Sequence, residues 1–239
     1  LQIQDYWRIY FSGRDNQNRS HIGFFDVCES NGKLEIINKS QNPVLSPGEL
    51  GCFDDSGVSP SSIIRLKNGK YALYYIGWQP RSSVRFSLFG GLALSDDAIS
   101  FYRHSRAPIL ERTLDDPYFN TAPWVIENEN QYVMFYVSAF KWETPDKPFY
   151  EIKIAESQDG ICWLRNPEPV VKLIPGLETA LARPTVYKNN DVWDMFLSVR
   201  RGEYLIHEYS SKNIYQWDRL NKKREIIPSR FDYEQDRKS

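Results

Sequence analysis

Three stretches of the chain carry a carboxylate six or seven residues ahead of a proline. Asp54, with Asp55 beside it, precedes Pro60 by six residues, Asp116 precedes Pro123 by seven, and Glu178 precedes Pro184 by six. Carboxylates brought to one pocket are what glycosidic chemistry needs: one protonates the leaving oxygen and another acts as nucleophile or activates water. Asp54, Asp55, Asp116 and Glu178 are therefore the candidate catalytic residues. The structural alternative is plain, because Asp and Glu are favoured in turns ahead of strands and Asp115-Asp116-Pro117 is a good turn.

A second set of residues has the chemistry of sugar binding. Arg14, Trp78, Ala139 and Arg200 hold equivalent places in four similar segments, with Lys141, Trp142 and Arg201 close by and Arg183 directly before Pro184. Indole faces stack on sugar rings much as they do on cations. Guanidinium forks grip carboxylate or phosphate, which suits an acidic sugar. Arg183 and Arg200 pairing with acids between repeats is the alternative. His21, in GRDNQNRSHIG, is a candidate donor to a substrate, with a satisfied structural histidine as its alternative.

The elements that must position these residues show as an internal repeat. An aromatic segment recurs as WRIYFSGR (7–14), YALYYIGW (71–78), YVMFYVSA (132–139) and VWDMFLSVR (192–200). Phe11, Tyr75, Tyr136 and Leu197 share one place in it, at spacings of 64, 61 and 61 residues. Upstream of three copies stand SPSSII, APWVI and RPTVY; downstream stand SDDAISF, SQDGICW and SKNIYQW. PVL, PIL and PVV form a further recurrent element. Apolar runs separated by Asn/Gly turns are hairpin signals. Four short antiparallel strands recurring every 60-odd residues form the pattern of a β-propeller blade, and no helical period interrupts it. In a propeller the strand carrying the proline is innermost, so the phased acids are expected at one end of the axis, with Trp78 or Trp142 at the rim. Crowding there is expected to raise at least one acid's pKa. The S-x-D-G turn reads as structural: Asp accepts backbone N–H groups, Gly permits positive φ, and Trp163 packs between blades.

The fold class is therefore all-β, a propeller over residues 1–229 followed by a charged tail at 230–239. The first repeat begins at its second strand, so a chain covering about four blades is expected to be incomplete as a closed ring. Lys and Arg number 30 against 31 Asp and Glu, which argues against a nucleic-acid partner held by bulk charge. No apolar run approaches the ~20 residues of a membrane helix, so no membrane insertion is expected. Cys28, Cys52 and Cys162 have no C-x-x-C spacing and read as reduced thiols of a cytoplasmic protein. Three His without ligand spacing predict no metal, and no cofactor is expected.

The stretches FDDSGVSPSSII, LALSDDAISFYR, DPYFNTAPWVI, IKIAESQDGICW and ETALARPTVY resemble the five-bladed β-propellers of the glycoside hydrolase family 43/32-like superfamily. The resemblance runs over residues 7 to 220 and is closest to glycosidase-like proteins associated with bacterial surface polysaccharides. It implies Glu178 as acid, with Asp54 or Asp55 and Asp116 as partners, and a carbohydrate as ligand. It also implies an Asp directly before the blade-start proline in active members, where this chain has Ser59, Ala122 and Arg183. Three functions stay open: a glycoside hydrolase or transglycosidase acting on a bacterial polysaccharide or its precursor, a non-catalytic propeller binding a glycan or sugar nucleotide, and a scaffold.

Overall fold

The computed structural model describes residues 1–220; the expected charged tail at 230–239 lies outside them. The described residues contain strands and turns and no helix. The described residues form two compact units, one of residues 1–111 with 158–162, the other of 112–157 with 163–220.

In the first unit, β1 (Gln2–Ile3), β2 (Tyr6–Arg14), β3 (Ser20–Ser30) and β4 (Lys33–Lys39) pair in chain order. A two-residue strand thus precedes the segment expected to open the chain: Gln2 and Ile3 face Trp7 and Tyr6. The second repeat is β5 (Val58–Arg65), β6 (Tyr71–Pro80), β7 (Phe86–Ser95) and β8 (Tyr102–Arg103), again antiparallel and in order. In the second unit, β9 (Asn120–Asn128), β10 (Gln131–Thr144), β11 (Lys147–Ser157) and β12 (Leu164–Arg165) follow the same pattern. So do β13 (Ala180–Asn189), β14 (Val192–Arg201), β15 (Glu203–Ser211) and β16 (Asp218–Arg219).

The phased prolines sit in strands β5, β9 and β13, as the repeat predicts. Proline has no N–H to give a ladder, so it belongs at an irregularity. Pairing shifts between Pro60 and Ser62 in β5, and it skips Ala122-Pro123 in β9 and Arg183-Pro184 in β13. In the last two, a pair of residues stands opposite the single phased position Tyr136 or Leu197, the geometry of a β-bulge. Ala122 and Arg183 adopt φ of 51°, an uncommon conformation for side chains other than glycine.

Neighbouring repeats join by two devices. The third strand meets the start of the next first strand in parallel, at Ser20–Gly57 and at Tyr150–Ala180. The turn ahead of each short fourth strand docks on the previous repeat's second strand. Asp97, Asp159 and Asn213 accept N–H groups two and three residues on, and the residue following each has positive φ: Ala98, Gly160 and Ile214. The carbonyl of that residue accepts Tyr10 Oη at Ala98 (2.6 Å) and Tyr74 Oη at Gly160 (2.7 Å). Trp217 packs edge-on against Phe135, which holds the place of Tyr10 and Tyr74 in its repeat. The S-x-D-G segment is thus structural, as its residues suggest.

The PVL, PIL and PVV segments hydrogen-bond the third strands: Val44 to Ile22, Ile109 to Gly90 and Val170 to Ile152. The first unit's core includes Ile22, Leu45, Phe53, Val58, Leu73, Tyr75 and Ala93. Phe53, on the loop ahead of β5, stacks on Tyr75 at 5.9 Å. The loop can lie this close because the strands beneath it carry glycine. A Cβ on Gly91 would stand 2.3 Å from Tyr75 Cζ and 2.7 Å from Phe53 Cζ. Gly91→Ala is therefore expected to destabilise by about 1–3 kcal/mol, seen as a lowered thermal midpoint. Gly13→Ala, with only Phe11 Cε2 at 3.9 Å, serves as the control with an unchanged midpoint.

Candidate functional site

Each phased acid is buried, and each is held inside its own repeat by groups from the second and fourth strands. Asp54 is fully buried; its Oδ2 accepts Tyr75 Oη of β6 at 2.9 Å and Arg103 Nε of β8 at 2.8 Å. Its Oδ1 has no hydrogen-bond partner and faces Gly48, where a Cβ would come within 2.0 Å. Asp116 accepts Tyr136 Oη (2.9 Å), Ser138 Oγ (2.7 Å), Lys153 Nζ (2.7 Å) and Arg165 Nη1 (3.3 Å). Glu178 Oε1 takes the Arg201 guanidinium, with Nε at 3.1 Å and Nη2 at 3.0 Å, and Arg219 Nη1 of β16 at 2.5 Å. Its Oε2 takes the Ile174 N–H at 3.0 Å.

These surroundings set the proton affinities. Burial pushes the Asp116 carboxyl upward, but hydrogen bonds from Lys153 and Ser138 outweigh it and hold the group below its ordinary value of 3.8. Burial likewise raises Glu178, and the Ile174 N–H with Arg219 and Arg201 brings it below 4.5. The expectation that crowding raises a candidate acid is thereby reversed for these two, because cations are buried with them. Tyr75 and Tyr136 are driven far upward by burial and by the adjacent carboxylate charge, so they remain donors.

Arg103, Arg165 and Arg219 are not among the residues the sequence pointed to. Their signal is nonetheless there: each lies eight residues after the serine of its S-x-D/N turn, in SDDAISFYR, SQDGICWLR and SKNIYQWDR. Tyr75 and Tyr136 read as core, and they are fully buried, yet their hydroxyls carry the second contact to the acids.

The other predicted residues have surroundings of their own. Asp55 closes its own loop, accepting the Gly51 N–H at 2.9 Å and Ser56 Oγ at 2.8 Å. Arg200 donates to Thr179 Oγ1 and the Pro148 carbonyl and lies over Tyr150 and Tyr204. Arg183 stands on the bulge of β13, where it keeps accessible surface while desolvation by the surrounding protein lowers its pKa. Trp78 is exposed at the end of β6, and Trp142 meets Phe119 edge-on.

Arg14 and His21 do come together. With Phe11, Asp15, Gln41 and Asn42 they line a cleft of about 420 Å³ in the first unit, within the usual range for small-ligand pockets. His21 Nε2 lies 3.1 Å from Asp15 Oδ2 and its Nδ1 lies 3.1 Å from Ser46 Oγ. Arg14 donates to Asn18 at 2.9 Å. Among the described residues no group of three or more His, Cys, Asp or Glu is placed to hold a metal ion.

No family model matches the chain. Among solved structures it is similar to a glycoside hydrolase, with a TM-score of 0.75 at 20% identity over 96% of this chain and 74% of that one. It is also similar to Zg3597, a family 117 glycoside hydrolase produced by the marine bacterium Zobellia galactanivorans, with a TM-score of 0.70 at 14% identity over 92% and 67%. These likenesses are of fold: the described residues are all-β, and the similar structures are β-propeller glycoside hydrolases. In sequence it is 35% identical over 219 residues to "Uncharacterized protein MT1551" of Mycobacterium tuberculosis (strain CDC 1551 / Oshkosh), covering 91% of this chain and 73% of the relative. The chain belongs to the family of that mycobacterial protein.

The depressed acids make stability depend on pH. With folded-state values below the ordinary 3.8 and 4.5, the stabilisation by Asp116 and Glu178 is complete above about pH 4.5 and is lost as pH falls through the depressed values. Denaturant unfolding from pH 7 to 3 is expected to show an acid limb, shallower in Asp116→Asn and Glu178→Gln because each removes one titrating group.

Proposed function

We propose that this chain is a carbohydrate-binding protein of glycoside-hydrolase-like fold, its repeats the blades of one propeller, and that its phased acids brace the blades instead of cleaving a glycosidic bond. The observation that carries the reading is the burial of Asp54, Asp116 and Glu178 against fourth-strand arginines. A general acid must hold a proton at working pH, and Asp116 and Glu178 are biased toward the ionised form. A nucleophile or base must face a substrate, and the oxygens of these two carboxylates already receive protein donors. The residues directly before the prolines, Ser59, Ala122 and Arg183, supply no acid in their place.

The carbohydrate half of the reading draws on the fold likeness and on the cleft of Arg14. There Phe11, 44% exposed, offers a ring face, and Gln41 and Asn42 are exposed amides suited to sugar hydroxyls. A bacterial polysaccharide or its precursor, met in the cytoplasm, is the ligand class proposed. The rival reading, a glycosidase with Glu178 as acid, separates from it in one variant. If Glu178 braces β16, Glu178→Gln removes the buried counter-charge of Arg201 and Arg219 and costs about 3 kcal/mol, lowering the thermal midpoint while glycan-array binding persists. If Glu178 is catalytic, the same variant loses turnover on a glycoside the wild type cleaves and melts normally, which would remove the bracing role.

A further inference from the structure

His21 has both ring nitrogens engaged, so it is not free to grip a ligand in the cleft. The fold explains the arrangement. The antiparallel bridge between Ile22 and Leu45 sets residues 21 and 46 side by side, and Leu45 is anchored in the core. On the other side, Asp15 closes the turn between β2 and β3. Its Oδ1 accepts the N–H groups of Gln17 and Arg19, and its Oδ2 accepts the Arg19 guanidinium. Those bonds, the Arg19 backbone N–H foremost and His21 next, hold Asp15 firmly ionised. An ionised Asp15 accepts the Nε2 proton of His21, which leaves the Nδ1 lone pair toward the hydroxyl of Ser46. Ser46 is exposed, and its main-chain carbonyl accepts the Arg103 guanidinium, which ties the residue in place.

We propose that Ser46, His21 and Asp15 form a nucleophilic relay that removes an O-acyl group from a carbohydrate ester bound at the adjoining cleft. The nitrogens exchange the places they hold in the serine-protease triad, but the roles are the same. Ser46 Oγ bonds to the acyl carbon while its proton passes to His21 Nδ1. The tetrahedral adduct collapses, the ester C–O bond breaks, and the proton returns to the departing sugar oxygen. Water, activated by His21, then attacks the acyl-Ser46 ester, releasing the carboxylic acid and restoring the serine. Asp15 is a positioning residue that fixes the tautomer. The acyl-transfer step stands on these residues alone; its carbohydrate class rests on the function proposed above.

The test is reaction of the full chain with a fluorophosphonate probe, mapped by mass spectrometry, beside hydrolysis of p-nitrophenyl acetate and of acetylated xylan. The expected result is labelling at Ser46, abolished in Ser46→Ala and slowed at least ~100-fold in His21→Asn, with both variants melting like the wild type. Asp15→Asn is expected to slow labelling and shift its pH profile, with partial rescue by Asp15→Glu. A folded wild type unlabelled at Ser46, or labelled equally fast in His21→Asn, overturns the relay whatever the glycan-binding result. Labelling at Ser46 without acetate release from xylan or glycan binding removes the carbohydrate class and leaves the relay standing.

Discussion

A carboxylate taken out of water must find compensating charge and donors, or it will not stay ionised or buried. This chain meets that constraint three times in the same way. A loop crossing toward each proline-bearing strand lowers an acid onto the sheet, and an arginine on the short fourth strand closes over it. The fourth strands β8, β12 and β16 are two residues long, and each ends in that arginine. A two-residue ladder contributes few hydrogen bonds, so the ion pair is what ties such a strand to the far side of its own repeat. Glycines at 48, 77 and 91 belong to the same constraint, because a side chain at any of them would meet Asp54, Phe53 or Tyr75.

The three clasps vary in a way that follows the local residues. Where the phased second-strand position is tyrosine, its hydroxyl donates to an aspartate. At Leu197 no donor is available; there the acid is a glutamate, one methylene longer, and Arg201 at the end of β14 supplies the missing contact. Asp116 collects two cations and Glu178 two, while Asp54 has one and leaves Oδ1 unpartnered. The first repeat lacks this clasp and uses another, a two-pronged pair of Arg8 on β2 with Asp26 on β3, both 3% exposed at the side chain.

Much of this was legible in the amino-acid order, and the limits have physical causes. The all-β class, the strand sites of Pro60, Pro123 and Pro184, and the turn role of Asp97, Asp159 and Asn213 follow from local chemistry, which sequence displays directly. The phase of the acids is likewise displayed by the chain order. What one-dimensional phase does not convey is direction. Asp54, Asp116 and Glu178 point into their own repeats because arginines eighteen to two dozen residues beyond the aromatic strand fold back over them, a pairing spread over 41 to 49 positions. The aromatic strand conceals its polar atoms in the same way: Tyr75 reads as apolar bulk until its hydroxyl is found on a carboxylate.

The clasp also bears on what the fold can be used for. Glycosidic cleavage by paired acids needs carboxyl groups whose environments push their proton affinities apart, one protonated and one ionised. Here Asp116 and Glu178 are pushed the same way, toward the charge. Turning either into a proton donor would mean removing the cations that hold its loop down. Acid catalysis and bracing therefore compete for the same oxygens. Residues outside the clasps are free of that conflict. The cleft of the first unit, lined by Phe11, Arg14, Gln41 and Asn42, lies among such residues, so recognition can evolve there without loosening the strands.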